Sequence, residues 1–517
     1  MKRARRSGRQ FAGGASALAA GAPLTVSVLL AACSFAPHYE RPAAAPAAQG
    51  YQELPASDDH RDDWKQAEPL DQAPRGAWWS IFHDPTLDQL ESQLIDANQN
   101  LKAAYARLRQ ARDDTRVARA DYWPTLLGKA TATRSRVSSN SPQYTQGKPT
   151  EGNDFDLEAD LSYEVDLWGR VRNEVANARA TQQASAADLA FVRLSLSAEL
   201  ATDYFQLRSQ DAQVALLDQA TGDYEQSLQL EQRLYDGGAA ALTDVAQAQA
   251  QLANARTQAA DTRLQRAQSQ HAIAVLLGEN PTTYRFDVDP LTDEVVPPAI
   301  DVGLPSALLE RRPDVGEAER RVAAANAQIG VARAAFFPRL TLDASAGFNS
   351  FRTGNWITAP SQFWSFGPQI NVPLFEGGRL RAQSDKAREQ YNETVANYRN
   401  TALSAFQEVE DSLASLRQLA QEGQTQDDAI EATRVVLEQA NDRYRGGLVT
   451  FLEVSTAETN ALQARLSGVA IQTRRMTASV LLVKALGGEW EPHDARHRTP
   501  PAAAPAATTP GSAQGGL

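Results

Sequence analysis

The 517-residue sequence carries a single cysteine, Cys33, so no disulfide can form within the chain. Histidine is almost as sparse: His38, His60, His83, His271, His493 and His497 are scattered, and no pair stands at metal-ligand spacing. Nucleophilic catalysis lacks a partnered base, and Gly237-Gly238 lacks the strand, glycine and helix setting of a phosphate loop. No enzymatic activity, metal or cofactor is therefore expected, and an envelope hydrolase is disfavoured. Excess positive charge is missing too. Lys and Arg number 51 against 63 Asp and Glu, and no half of the chain past the N-terminus is strongly basic, which removes a nucleic-acid partner. Beyond the first 32 residues there is no uninterrupted apolar run of about 18 residues, so a membrane crossing by that part would have to use strands.

What is present begins with a targeting segment. Lys2, Arg3, Arg5, Arg6 and Arg9 precede an uncharged stretch from Phe11 to Ala32, which ends on Leu30-Ala31-Ala32-Cys33. The ending resembles a bacterial lipobox, in which the cysteine is acylated and becomes the mature N-terminus. Residues 1–32 are then a signal peptide and Cys33 the lipid attachment point; a plain secretory signal or a membrane anchor is the alternative. Ser34 stands where Asp would signal retention in the inner membrane, so outer-membrane sorting is expected. Residues 33–63, rich in Pro, Ala and Gln, read as an extended tether leading away from the lipid, and residues 491–517 as a disordered tail.

Between these ends the chain repeats itself. Tyr235-Asp236-Gly237-Gly238 with Leu242, Asp244 and Val245 matches Tyr444-Arg445-Gly446-Gly447 with Phe451, Glu453 and Val454, at a constant offset of 444 − 235 = 209. The same offset joins Leu277-Gly278 to Leu486-Gly487. Ala118-Arg119-Ala120 and Trp123-Pro124 match Ala332-Arg333-Ala334 and Phe337-Pro338 at an offset of 214, so the first half carries small insertions in its connections. The period is far too long for a solenoid unit. Two repeats are expected, 64–280 and 281–490, each with a hairpin, at about 125–169 and 339–376.

The hairpins announce themselves by alternation. Phe155, Leu157, Ala159, Leu161, Tyr163, Val165 and Leu167 alternate with Asp154, Asp156, Glu158, Asp160, Ser162, Glu164 and Asp166, the signature of a strand with one apolar and one wet face. Leu340 to Asn349 and Trp364 to Leu374 repeat the pattern. Tyr122, Trp123, Trp168, Phe336, Phe337, Trp356, Phe363, Trp364 and Phe375 gather near the strand ends, as interfacial girdles do. A soluble pair of hairpins is the competing reading of these strands. The rest is helix: from Arg170 to Asn280 and from Glu376 to Glu491 there is no proline. Leu189, Val192, Leu196, Leu200, Tyr204 and Leu207 step by three or four, a narrow stripe for lateral packing. A helix from Arg170 to Tyr235 would run about 100 Å at ~1.5 Å per residue, too long for a globule. Gly237-Gly238 and Gly446-Gly447 are expected to supply the positive-φ freedom for reversal. Four strands cannot close a barrel alone, and open edges in lipid would strand unpaired backbone groups, so copies of the chain must share one.

Together with Trp78-Trp79-Ser80-Ile81-Phe82-His83-Asp84-Pro85-Thr86-Leu87 and Arg311-Arg312-Pro313-Asp314-Val315, these features resemble the outer membrane factor (TolC-like) family, specifically its NodT/OprM-like efflux lipoprotein branch. The resemblance covers about residues 33 to 490. It implies a mainly α fold with a small β part, in which duplicated coiled-coil helices form a periplasmic α-barrel and four strands per chain enter a shared trimeric twelve-stranded transmembrane barrel. It implies a homotrimer, held to outer-membrane lipid by acylated Cys33, that meets a periplasmic adaptor protein and an inner-membrane pump and passively conducts drugs or other small toxic compounds outward. Type I protein secretion and a non-channel coiled-coil envelope lipoprotein are the alternatives. The turns with Tyr235, Gly237, Gly238, Tyr444, Gly446 and Gly447 correspond to periplasmic tips that touch the adaptor. Just after the second tip the family carries an apolar and a charged ring. Leu452 matches the apolar position, whereas Thr456 and Thr459 fall where charge is usual, leaving Asp244, Glu453 and Glu458 as the acidic candidates for the gate or else as solvated helix-face groups. Asp154, Asp156, Glu158, Asp160, Glu164 and Asp166 are candidates for a lumen lining that favours cations, or else form a wet loop flank.

Overall fold

The computed structural model describes residues 35–44, 51–53, 76–142, 145–146, 150–292, 295–300, 308–309 and 311–488. The signal peptide, Cys33, much of the tether and the tail lie outside them. A single-turn helix at Trp78–Phe82 leads into α1 (Pro85–Ala97) and α2 (Gln99–Ala120), followed by β1 (Thr125–Arg136), β2 (Glu151–Glu164), α3 (Arg170–Asp236) and α4 (Leu242–Leu276). The second half gives α5 (Pro313–Ala334), β3 (Arg339–Ser350), β4 (Gln362–Asn371), α6 (Arg379–Arg445) and α7 (Phe451–Ala485).

The duplication is exact at the level of the long helices. α3 and α6 each have 67 residues, α4 and α7 each 35, and all four pairs of boundaries differ by 209, from 379 − 170 to 485 − 276. α2 and α5 each have 22 residues, β1 and β3 each 12, and both pairs start 214 apart. The step from 214 to 209 therefore falls after β1 and β3, where the first hairpin is longer than the second. At ~1.5 Å per residue each 67-residue helix spans about 100 Å. None of the described helices is both long and apolar enough to cross a membrane.

In each half the short helix stacks on the end of the returning one. Asn98, the N-cap of α2, donates from Nδ2 to the carbonyl of Leu276 at the end of α4, 2.7 Å away. Arg312 at the start of α5 does the same to Ala485 at the end of α7 (3.2 Å). Gly278 and Gly487 turn the chain away at φ 69° and 92°, and a Cβ on either would meet the carbonyl oxygen of Ala97 or Arg311 at 2.8 and 3.0 Å. Glycine is required there by both conformation and space.

The largest apolar core lies at this belt. Trp78, Leu87, Leu200, Tyr204, Phe205, Ile273 and Met476 are buried together, and Asp84 ties them to the helix start. Its Oδ1 caps α1 through Thr86 and Leu87 N–H, and its Oδ2 accepts from Tyr204 Oη (2.7 Å) and Arg208 (2.9 Å). A second core gathers Val315, Tyr398, Val409 and Leu482. Towards the far end only thin seams remain, such as Leu217 with Ala259 and Leu466, then Ala248 with Phe451 and Val454. The small residues in these seams let the helices lie close together along their length.

The four strands form one antiparallel sheet in the order β1-β2-β3-β4, so the hairpins of the two halves join through β2 and β3. The edges of β1 and β4 carry no strand partner among the described residues. The register puts Leu126, Leu157, Leu161, Leu342, Phe348, Trp364 and Ile370 on one face, and Asp156, Glu158, Asp160, Asp343, Ser345 and Ser365 on the other. Gly347 lies opposite Glu158, and the ring of Phe363 covers it, 3.0 Å from where a Cβ would stand.

The tether is not free. Its described part runs as a strap along α5 and α6: Arg333 and Asn326 donate to the carbonyls of Phe35 (3.3 Å) and Pro37 (2.9 Å), Tyr39 bonds Glu319, and Arg41 reaches Tyr398 at 3.2 Å. Tyr51 is buried in the second core. It does lead away from its N-terminal end, but docked on the second half. The Pro/Ala composition gave no sign of this docking because the contacts come from single side chains rather than a periodic stripe.

Candidate functional site

Two surfaces carry the residues singled out by the sequence: the helix reversals at one end and the sheet at the other. At the reversals, only the second glycine of each pair is left-handed. Gly238 and Gly447 have φ 75° and 72°, so each pair supplies the positive-φ residue expected of it, whereas Gly237 and Gly446 are right-handed helix caps at −80° and −79°. The backbone closes identically: Ala239 N–H bonds Leu234 O and Leu448 N–H bonds Arg443 O at 2.8 and 2.9 Å, the Schellman pattern.

The side chains have diverged. Tyr444 donates its hydroxyl to Glu231, which is 1% exposed, and so links α6 to α3. Burial and the Glu231 carboxylate push the Tyr444 hydroxyl pKa well up. Tyr235 is exposed, and the residue matching Glu231 in the second half is Ala440, so its counterpart bond cannot form. Asp244 turns back to accept the Ala241 N–H at 3.1 Å, capping α4. Glu453 pairs with Arg443 across the second reversal at 2.8 Å. Leu452 is exposed. Thr456 and Thr459 bond back to their own helix, at Leu452 O and Ser455 O. Gln251 of α4 reaches α7, donating to Glu458 at 3.1 Å and Ser455 O at 3.3 Å, and burial raises the Glu458 pKa. Glu231 and Gln251 carry cross-helix bonds that sequence reading missed, because their partners lie about 200 residues away.

On the sheet, Asp154, Asp156, Glu158 and Asp160 share the polar face of β2. Asn349 donates to Asp154 (3.0 Å) and Asp156 (3.4 Å), Lys129 lies 4.0 Å from Glu158, and Asp343 of β3 extends the row through Ser162 (2.7 Å). Glu164 ends the strand and is gripped by Arg170 through two bonds of 2.8 and 2.9 Å. Asp166 does not belong to the row. It lies past β2 and accepts from the N–H groups of Val171 (3.2 Å) and Arg172 (2.9 Å), satisfying donors at the start of α3. A carboxylate a few residues ahead of a proline-free helix is the signal that could have identified it as a cap.

The opposite face is apolar and bare in the single chain, with Leu126, Trp364, Phe366 and Ile370 all exposed. Of the expected girdle, Trp123, Trp364 and Phe375 are exposed, at 75%, 80% and 90%. Trp168 and Phe337 stack with Phe35 of the strap, Phe35 on Phe337 at 4.3 Å, at the junction between sheet and helices.

The sequence matches the family model described as "Outer membrane efflux protein" over residues 90–279 and 304–488. It is 34% identical over 467 residues, 89% of this chain and 94% of the relative, to a probable efflux pump outer membrane protein, TtgC, of Pseudomonas putida. It is 32% identical to the pyoverdine export outer membrane protein OpmQ of Pseudomonas aeruginosa, over 80% of this chain and 87% of that one. Among solved structures, the outer-membrane channel OprN superposes with a TM-score of 0.76 at 30% identity, covering 89% of this chain and all of that one. The CmeC outer membrane channel of Campylobacter jejuni superposes with a TM-score of 0.79 at 25% identity, covering 89% and 96%.

Proposed function

The chain belongs to the outer membrane efflux protein family, and from that premise we propose that it is the exit duct of a tripartite efflux pump. It is an outer-membrane channel protein that extends into the periplasm. The observation that carries the reading is the sheet: one apolar face, one acidic face, and two edges without a strand partner among the described residues, mounted on helices about 100 Å long. In lipid those edges must be paired, and a three-fold ring that joins β4 of one copy to β1 of the next closes a barrel of twelve strands. The apolar face then meets lipid and the row Asp154, Asp156, Glu158 and Asp160 meets water in the lumen, where it favours cations.

The reversals at Tyr235 to Val245 and Tyr444 to Val454 are the periplasmic tips, offered to an adaptor protein and an inner-membrane pump. Conduction needs no catalysis by this chain. Relatives named for toluene, antibiotic and pyoverdine export indicate that cargo varies within the family, and small toxic compounds are the class proposed here. Acylation at Cys33 anchors the chain. Planar-bilayer recordings of the purified protein test the channel, with stepwise conductance expected. A stably monomeric, non-conducting protein in detergent and bilayer alike would overturn it. Deletion with toxicity profiling tests small-molecule export, and replacement of Cys33 by Ser tests the anchor through loss of acyl labelling.

A further inference from the structure

The duplication carries strand pairing as well as helix length. Thr125 faces Ser162 between β1 and β2, and Arg339 faces Asn371 between β3 and β4, at 339 − 125 = 214 and 371 − 162 = 209. The two hairpins therefore share one register. The joint between β2 and β3 has no duplicate inside the sheet, because its equivalents are β4 and β1, which lie at opposite edges. The helices repeat this gap. α3 packs on α5, where Asn177 donates to the carbonyl of Ala324 at 2.8 Å and a Cβ on Gly330 would lie 2.5 Å from the Asn173 side chain. Asn173 and Gly330 are buried, whereas their equivalents, Ala382 on α6 and Arg116 on α2, are exposed.

We propose that a second copy of the chain completes this joint in the register of the first: β4 and α6 of one copy pack on β1 and α2 of the next as β2 and α3 pack on β3 and α5 within the chain. The inference rests on the three-fold ring proposed above and assigns its seam residue by residue. Asp160 faces Ser345, so Gln369 of one copy faces Thr131 of the next; Ser162 and Asp343 become Asn371 and Lys129 in the same way. On the water face this register also sets Ser365 against Ser135, and on the other face it sets Ile370 against Ala130 and Trp364 against Arg136. A slip of one residue would set the polar face of one edge against the apolar face of the other.

The helix side chains fit the same seam. Lys386 takes the place of Asn177 and keeps a donor opposite the Gln110 carbonyl, while the large-against-none contact of Asn173 and Gly330 becomes small Ala382 against Arg116. Ala180 and Ala184 continue the buried stripe of Asn173 and Asn177, but their equivalents, Glu389 and Glu393, are exposed acids. The antiparallel spacing that sets Asn173 at Gly330 sets Ala180 level with Ala323, and hence Glu389 level with Arg109 of the next copy. Arg109 lies over its own Tyr105 ring at 4.7 Å in the single chain. Two small residues inside the chain thus correspond to an acid and a base between chains, a pairing that selects this orientation of the two copies.

The test uses the full-length protein in native membranes. Gln369→Cys is combined with Lys129→Cys, Thr131→Cys or Thr133→Cys and oxidised. β1 and β4 of one sheet stand three strand spacings apart, about 14 Å, so a disulfide between them must join two chains. Covalent trimers should form several-fold faster with Thr131→Cys than with either neighbour. Glu389→Arg should lower by several degrees the temperature at which the detergent-solubilised trimer dissociates, and Arg109→Glu in the same chain should restore it. Fastest cross-linking at Lys129→Cys or Thr133→Cys, or a charge swap that restores nothing, would overturn the seam and leave the ring standing. A monomer mass by light scattering for the wild-type protein would remove the ring, and the proposed duct with it.

Discussion

Arg312 donates from Nη1 to the main-chain carbonyl of Ala485 at 3.2 Å, and Asn98 makes the equivalent bond to Leu276 in the other half. The four residues keep the offsets of the duplication, 312 − 98 = 214 and 485 − 276 = 209. In both halves a polar side chain at the start of the short helix satisfies an orphan carbonyl at the end of the returning one. The second half has replaced an amide by a guanidinium, which allows two further partners: Asp314, held at 3.0 and 2.6 Å, and Glu408, at 2.6 Å. The Arg311-Arg312-Pro313-Asp314 run is thereby explained as a stacking joint.

Removing the guanidinium leaves the Ala485 carbonyl without its side-chain donor and Asp314 with only the Val315 N–H, in a site where the arginine is 4% exposed. Arg312→Ala is expected to cost about 3 kcal/mol. Arg312→Lys should recover only part of the loss, because a single ammonium cannot hold Asp314 through two bonds and Glu408 together. Thermal unfolding of the detergent-solubilised protein measures both; equal stability of wild type and Arg312→Ala would show the joint to be incidental.

The glycine pairs at the tips separate by backbone conformation. Gly446 is right-handed and a Cβ there would meet ordinary contacts near 3.5 Å, so Gly446→Ala should be neutral or stabilise by about 0.5 kcal/mol. Gly447 is left-handed with open space around it, so Gly447→Ala should cost about 1 kcal/mol from strain alone. Hydrogen exchange across residues 440–455 would resolve the two effects, faster exchange being expected only for Gly447→Ala.

Much of this architecture is legible in the sequence, for a physical reason. Strands with one wet face and helices with one buried stripe leave periodic traces, and the repetition of Tyr-x-Gly-Gly fixes where the helices reverse. What is illegible is what depends on one side chain meeting another far along the chain. Tyr444 can be read as a tip residue, but its partner Glu231 has no local signal and its counterpart is Ala440. Asp166 has the right alternation for the acidic strand face, and only the end of β2 at Glu164 shows that it caps α3 instead. Trp168 and Phe337 are legible as aromatics near strand ends, but their stacking on the strap residue Phe35 has no local signal.

Glu91 of α1 is fully buried against Ser197 of α3, and burial raises its pKa from 4.5 to about 8, with Asp88 pushing the same way and Arg193 opposing. Between those two values the unfolded chain releases the proton and the folded chain keeps it. Stability contributed by this group should thus be greatest below about pH 4.5, fall as pH rises, and level off above about pH 8. Glu91→Gln should flatten that slope and be the more stable form at pH 8. Melting temperatures of both proteins at about pH 5 and pH 8 check it; an unchanged difference between the two pH values would place the slope elsewhere.

The Arg443 and Glu453 pair bridges the second reversal from the end of α6 to the first turn of α7, at 2.8 Å with both side chains about half exposed. At that exposure its contribution to folding is small, on the order of 0.5 kcal/mol. Its position matters more, since three-fold repetition would bring three such pairs to the mouth of the duct. Reversing one charge by Glu453→Lys puts two like charges on opposite sides of each reversal and should splay the helix ends, raising the resting conductance of the channel in a planar bilayer. Restoring attraction in the swapped pair, Arg443→Glu with Glu453→Lys, should bring conductance back towards wild type while leaving the net charge of the tip unaltered. Increased salt should shrink the difference between the single variant and wild type, because exposed pairs are screened. Unchanged conductance in Glu453→Lys would show that the closed mouth is set by other contacts, and leave the Tyr444 to Glu231 bond as the next to be broken.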